Sequence, residues 1–354
     1  AKWTSIGDDS GTNNAANDLS YSYMGSGHNE ATSYAYTEGV RTALDDAGTG
    51  NETVHNLAFD AWDDASPFSL QEQDEDGTGN TVGDIRVAFS TSVASGSAAH
   101  AYGPHPSNKG GDIYYGTTQM NTNGSTVDFV RGEHSYITAL HEIGHALGLS
   151  HPFDGGSVDD SKMNLNIDNQ RNTVMTYNQS DRNLKIHLSG GSAAFNGKAF
   201  MTTPGLLDIE AIEHIYGSTN WAANTGNTTF GGGEGGTEAA FNSNFEGLRV
   251  LSDSGGTDTL DASAVAADAY GKHSVINLTP GTYSSINTYS TDLEKITAVS
   301  VGDASKIASF EAALATQNTA FSASNSYYPG FTRTALYRGQ ENVGIAHNTW
   351  IENA

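Results

Sequence analysis

Cysteine is absent from all 354 residues, so no disulfide can cross-link the fold. In an extracellular protein that stabilising role falls to bound metal. Proline is scarce, with 7 residues against 41 glycines, which points to many turns and loops rather than long helices. Basic residues are few: 16 Lys and Arg stand against 41 Asp and Glu, a formal net charge of −25. Phosphate binding needs a basic face, so nucleic acid is excluded as a partner. No apolar run approaches the roughly 18–20 residues that span a bilayer, so no membrane partner is expected. The first residues, "AKWTSIGDDSGTNN", lack the basic start and apolar run of a signal peptide. The expectation is a processed chain, or export by another route.

A hydrophobic content of 36% still suffices for a core, and the length suggests about two domains. Residues 18–25, "DLSYSYMG", alternate as a strand, and "GDIRVAFS" (83–90) and the short "GGDIYYG" (110–116) read as further strands. Helical spacing appears in 33–46, 52–65, the stretch around 138–147, 206–217 and 304–317. After residue 217 the chain turns rich in Gly, Thr, Asn and Ser, as in "NTGNTTFGGGEGG". The expected division is therefore a domain over 1–217 and a mostly β domain over 218–354, α+β as a whole.

Only 12 histidines occur, yet three fall within 11 positions of "TALHEIGHALGLSHP" (138–152). His141 and His145, four apart, project from one helical face, between apolar Ile137, Leu140, Ile143 and Leu147 that face a core. Gly148 tolerates the positive φ that breaks a helix sharply, so the chain can return His151 to the same ion. Three neutral nitrogens bind zinc and leave a position open for water, the pattern of a catalytic site. Glu142 points a step round the helix, where a carboxylate can take a proton from that water and pass it to a leaving amine.

"HEIGHALGLSHP", with "NTVMTYNQ" (172–179) after it, resembles the extended motif and methionine turn of the metzincin metallopeptidases, and in particular the serralysins. The resemblance implies one catalytic zinc on His141, His145 and His151, with Glu142 as general base and then acid. Met175 would form an apolar floor beneath the histidines. Tyr177 would bind the zinc in the free enzyme and swing away to support the oxyanion. "FDAWDDASPFSL" (59–70) looks like the family's first long helix and the strand after it, and "TPGLLDIEAIEHIYG" (203–217) like the helix closing its catalytic domain. "GGDIYY" looks like its sheet-edge strand, so Gly111, Asp112, Ile113, Tyr114 and Tyr115 are expected to pair with an extended substrate. The structural zinc of matrixins is not expected, because Tyr114 stands where a ligand would be and no H-x-D lies upstream; His100 and His105 read as ordinary loop histidines.

The serralysin β-roll repeats are not found. "DSGGTDTLDAS" (253–263) resembles the strand and turn leading into them, and "WIENA" the segment just before the first repeat. By that resemblance one or more calcium ions would be held by Asp253, Gly255, Gly256 and Asp258, helped by Asn224, Gly226, Thr228, Trp350 and Glu352, oxygen donors that suit a hard cation. The chain would then be a mature or trimmed form of a longer precursor. Residues 295–338 look like an insertion with no assigned role. The sum is a secreted, extracellular zinc endopeptidase of broad specificity. It is expected to be monomeric, to act on protein or peptide substrates, and to have a proteinaceous inhibitor as a conceivable further partner. Two alternatives stand beside it: a calcium-dependent binding module that kept the histidines without needing Glu142 or Tyr177, and a zinc hydrolase of non-peptide amides.

Overall fold

In a computed structural model the described residues are 3, 18–24, 41–42, 44, 50–67, 69–75, 82–91, 93, 97–107, 109–116, 129–154, 162–164, 167–180, 182–189, 191–217, 225–231, 241, 246–323 and 335–354. They form two compact units, residues 1–162 with 202–223, and residues 163–201 with 224–354. The sequence-based division after 217 left 163–201 with the first domain; the fold groups that stretch with the second unit.

The first unit is built on one mixed sheet. Its strands are β1 (Asp18–Tyr23), β2 (Arg41–Thr42), β3 (Ser69–Glu72), β4 (Ile85–Ser90), β5 (Ala99–Ala101) and β6 (Ile113–Gly116). The order is β3-β1-β4-β6-β5, with β2 pairing antiparallel to the end of β4. β1, β3, β4 and β6 run parallel, and β5 runs antiparallel to β6. Every residue of β4 is buried, as befits a central parallel strand covered on both faces. That includes Arg86, whose guanidinium meets Glu75 through two charge-assisted bonds of 2.6 and 2.7 Å.

Three helices complete the unit: α1 (Asn51–Asp63), α2 (His134–Ala146) and α3 (Leu206–Tyr216). α1 buries His55, Ala58, Phe59 and Trp62, one face at helical spacing. α2 is buried almost all round, which marks it as the central helix. The two are tied by cross-bonds as well as by packing: the Trp62 indole donates to the Leu140 carbonyl (3.0 Å) and the Tyr136 hydroxyl to the Leu57 carbonyl (2.8 Å).

Two expectations are corrected here. The helix expected over 33–46 falls mostly outside the described residues, and within it Arg41–Thr42 are strand. The "GGDIYY" segment is not a sheet edge. β6 lies between β4 and β5 and bonds to both, so its backbone is already used. The outermost strand on that side, among the described residues, is β5.

The second unit holds an antiparallel hairpin of β7 (Leu184–Ser189) and β8 (Ser192–Lys198). It also holds a parallel pair, β9 (Thr229–Phe230) with β11 (Thr259–Leu260). A four-stranded sheet runs in the order β10 (Arg249–Leu251), β14 (Val343–Ile345), β13 (Tyr283–Thr288), β12 (His273–Val275). Phe230, Phe241, Leu251, Leu260, Ile286 and Val343 share one core. The region read as an insertion contributes most of two helices, α4 (Asp292–Val299) and α5 (Ala304–Ala323). Ile296, Phe310 and Leu314 from these helices pack with Ile186 of the hairpin in a second core. α4 opens on a reciprocal cap, Glu294 N–H to the Thr291 hydroxyl and Thr291 N–H to the Glu294 carboxylate.

Candidate metal centre

α2 ends in a Schellman turn. Gly148 takes φ of +106°, its N–H donates to the His145 carbonyl, and the Leu149 N–H donates to the Gly144 carbonyl, each at 2.9 Å. A side chain would strain this φ, so glycine is needed where the chain leaves the helix to bring back His151.

The turn converges three imidazoles. The His151 Nε2 lies 3.2 Å from the Nε2 atoms of both His141 and His145. The His145 Nδ1 donates to the Leu149 carbonyl (2.8 Å), and the His151 Nδ1 donates to the Asp154 carboxylate (2.7 Å). With Nδ1 donating, the neutral form of either ring turns an unprotonated Nε2 inward. Lone pairs packed so closely repel unless a cation lies between them. A tetrahedral zinc with Zn–N of about 2.0–2.1 Å needs nitrogens roughly 3.3 Å apart, so the donor set fits. Among the described residues this is the only cluster of three or more His, Asp or Glu ligand atoms of suitable spacing.

Glu142 is buried beside the first ligand, and its Oε2 has no hydrogen-bond partner. Burial pushes its carboxyl up to about 8, and burial drives His145 down to about 4. A dication would act on Glu142 in the opposite sense, favouring the carboxylate. Phe153 stacks on the His151 ring, with centroids 4.8 Å apart and planes 9° apart. Asp154 and Phe153 thus hold the His151 ring from outside the helix, and no sequence motif marks either although both lie within three residues of it.

β5 runs past this helix: a Cβ placed on Gly103 would lie 3.7 Å from the His145 carbonyl oxygen. Just past the two ends of β5, Ala98 and Tyr102 bond to Gly116 and Asp112. The alternation of an antiparallel pair then turns the backbone of Ala99 and Ala101 to the outer edge. His100 packs its ring against Tyr102 and Tyr114. His105 bonds the Ser107 hydroxyl. Asp112 accepts from the Tyr114 hydroxyl, and Tyr115 reaches His55; these side chains are committed within the first unit.

Met175 and Tyr177 belong to the second unit, in a turn where the Thr173 and Thr176 hydroxyls accept from Met175 N–H and Asn178 N–H. Met175 is buried and Tyr177 is exposed.

The oxygen-rich group of the second unit is partly assembled. Asp258 accepts from Thr228 N–H (2.8 Å), Glu352 accepts from Asp258 N–H (2.7 Å), and the Thr228 hydroxyl donates to the Gly226 carbonyl. Gly256 has room only for hydrogen, since a Cβ would lie 2.3 Å from that same carbonyl. Asp253 is buried, caps Gly255 N–H with one oxygen and leaves the other unpartnered. Burial, then the charge of Asp258, pushes its carboxyl up to about 6. An orphaned buried oxygen beside a second carboxylate fits a hard cation such as calcium. Trp350 has an exposed ring, and Asn224 lies outside the described residues.

Three histidines converge on a helix ended by a glycine turn, in a unit built on a mixed sheet whose β2 and β5 run antiparallel to their neighbours. Residues 34–188 match the matrixin family model. The chain is 27% identical over 283 residues to the metalloprotease AprA of Pseudomonas entomophila, covering 76% of this chain and 52% of that protein. It is 30% identical over 244 residues to serralysin B of Dickeya chrysanthemi, covering 65% and 46%. It is 27% identical over 243 residues to a serralysin of Photorhabdus, covering 66% and 46%. The chain spans about half the length of the curated relatives it matches. By these likenesses the chain is similar to the serralysin-type metzincin metalloproteases.

Proposed function

We propose that the chain is a secreted zinc endopeptidase acting on extended protein or peptide substrates with broad selectivity. The observation that carries this reading is the convergence of three histidine Nε2 atoms beside a buried, unpartnered Glu142 carboxyl oxygen. Zinc held by His141, His145 and His151 would supply a Lewis acid that polarises the scissile carbonyl and acidifies water. Glu142 takes the proton from the attacking water and delivers it to the departing amine. The substrate adds as a strand to the outer edge of β5, bonding to the backbone of Ala99 and Ala101; bonds of that kind depend little on side-chain identity. Asp253, Asp258, Gly226, Thr228 and Glu352, with Gly255, Gly256, Asn224 and Trp350, bind calcium that stabilises the second unit. No helix among the described residues is long and apolar enough to cross a membrane.

Casein hydrolysis by wild type and Glu142→Gln, with zinc content determined for both, tests the reading. The expected outcome is one zinc in each and a loss of at least about 10³-fold in kcat/KM for the variant. Equal activity in a verified Glu142→Gln protein would overturn the mechanism. A zinc-loaded wild type that leaves casein and other peptides intact would favour the binding-module alternative.

A further inference from the structure

We propose that Trp3 and Tyr216 are positioning residues of the metal centre, capping the carbonyl end of the metal helix and holding the turn between the second and third ligands. The inference rests on reading that centre as a zinc site.

A helix leaves its last carbonyls without partners inside the helix, and each buried one needs a donor from elsewhere. At the end of α2 every one can be accounted for. The Ile143 carbonyl accepts from Leu147 N–H, that of Gly144 from Leu149 N–H and that of His145 from Gly148 N–H, all at 2.9 Å. Ala146 and Leu147 come next, and their donors are remote in sequence. The Trp3 indole N–H donates to the Ala146 carbonyl at 3.0 Å. The Tyr216 hydroxyl donates to the Leu147 carbonyl at 2.7 Å. The same hydroxyl oxygen accepts from the Trp3 backbone N–H at 3.2 Å, which joins the two caps into one clasp.

The clasp has a prepared seat. Gly111 has φ of +83°, and a Cβ there would lie 2.9 Å from Trp3 Cζ2 and 3.0 Å from Ile85 Cγ1. The glycine at the entry to β6 therefore leaves space for the indole.

The metal ligands lie just beyond the capped residues. Leu149, two residues past Leu147, offers the carbonyl that orients His145. His151 lies four residues past Leu147. Both depend on the path of a turn whose first two carbonyls are held by Trp3 and Tyr216. Loss of either donor frees those carbonyls to rotate toward water, which shifts the Leu149 carbonyl and the third ligand together.

The test uses Trp3→Phe, which keeps an aromatic ring but removes the indole donor, and Tyr216→Phe, which removes only the hydroxyl. Zinc release from each loaded protein to excess chelator is timed, beside thermal melting of the zinc-free proteins and the separate values of kcat and KM. The expected result is release faster by about tenfold in both variants, in the range found when groups orienting a ligand are lost. It should come with a fall in kcat rather than a rise in KM, and only a small change in zinc-free melting. Release within twofold of wild type in both variants overturns the proposal. So does a release rate that rises only in step with a general loss of zinc-free stability, which would make the clasp merely structural. A wild type that binds no zinc would instead sink the reading of the site itself, a separate outcome.

Discussion

The three histidines of the first unit come from 11 neighbouring residues, whereas the oxygens grouped in the second come from 226–228, 253–258 and 352. In the first case a helix and a glycine turn carry the geometry, so local spacing is enough to specify it. In the second the strands β9 and β11 must first pair, and the chain end must reach back to Asp258, before any site exists. A local site can be read as a motif; a site assembled over a hundred residues is legible only as turn chemistry.

The largest effect expected to sharpen this contrast concerns the foundation of the first unit. His55 is wholly buried, with its Nε2 accepting from the Tyr115 hydroxyl (2.7 Å) and its Nδ1 donating to Tyr23 (3.0 Å), whose own proton goes to Asn56. Burial lowers its pKa from 6.5 to about 3. The unfolded chain then binds the proton more readily, so stability is full above pH 6.5 and declines as pH falls through 3, by about 5 kcal/mol in all. Chemical unfolding of wild type and His55→Gln across that range should show this slope in wild type and its loss in the variant. Parallel curves would break the account.

Calcium is the corresponding lever on the second unit. At 100 times its Kd, calcium should stabilise the folded protein by about 2.7 kcal/mol, and Asp253→Asn should abolish most of that gain. A melting temperature indifferent to calcium would leave the second unit held by its apolar cores alone.

Next comes Asp154→Ala, which removes the acceptor orienting His151. Zinc affinity is expected to fall by about 10- to 100-fold, with no change in the response to calcium. A change in both would show that the two sites are not independent. The smallest effect is expected from Ala101→Pro, which deletes one outward N–H at the edge of β5, where proline is tolerated. KM for a protein substrate should rise by up to about tenfold, the worth of one hydrogen bond, with melting nearly unchanged. An unaltered KM would direct the substrate elsewhere.

The convergence of His141, His145 and His151, with Glu142 beside the first and Gly148 ending the helix, was legible in the sequence, because residues 141–151 interact through one helix and one turn. The sequence also carried the strand patterns of β1 and β4 and the helices α1, α3 and α5. The cap before α4, Thr291 to Glu294, is equally local, but the surrounding polar residues mask it. Tertiary structure alone decided which strand lies at the sheet edge, since β5 and β6 are both short and polarity does not record order within a sheet. It likewise decided the grouping of 163–201 with the C-terminal residues, and the packing of α4 and α5 on the β7–β8 hairpin. Trp3 and Tyr216 lie 213 residues apart, and nothing local to either marks them as partners. They meet because the carbonyls ending the metal helix need donors, and the folded chain brings those two to them.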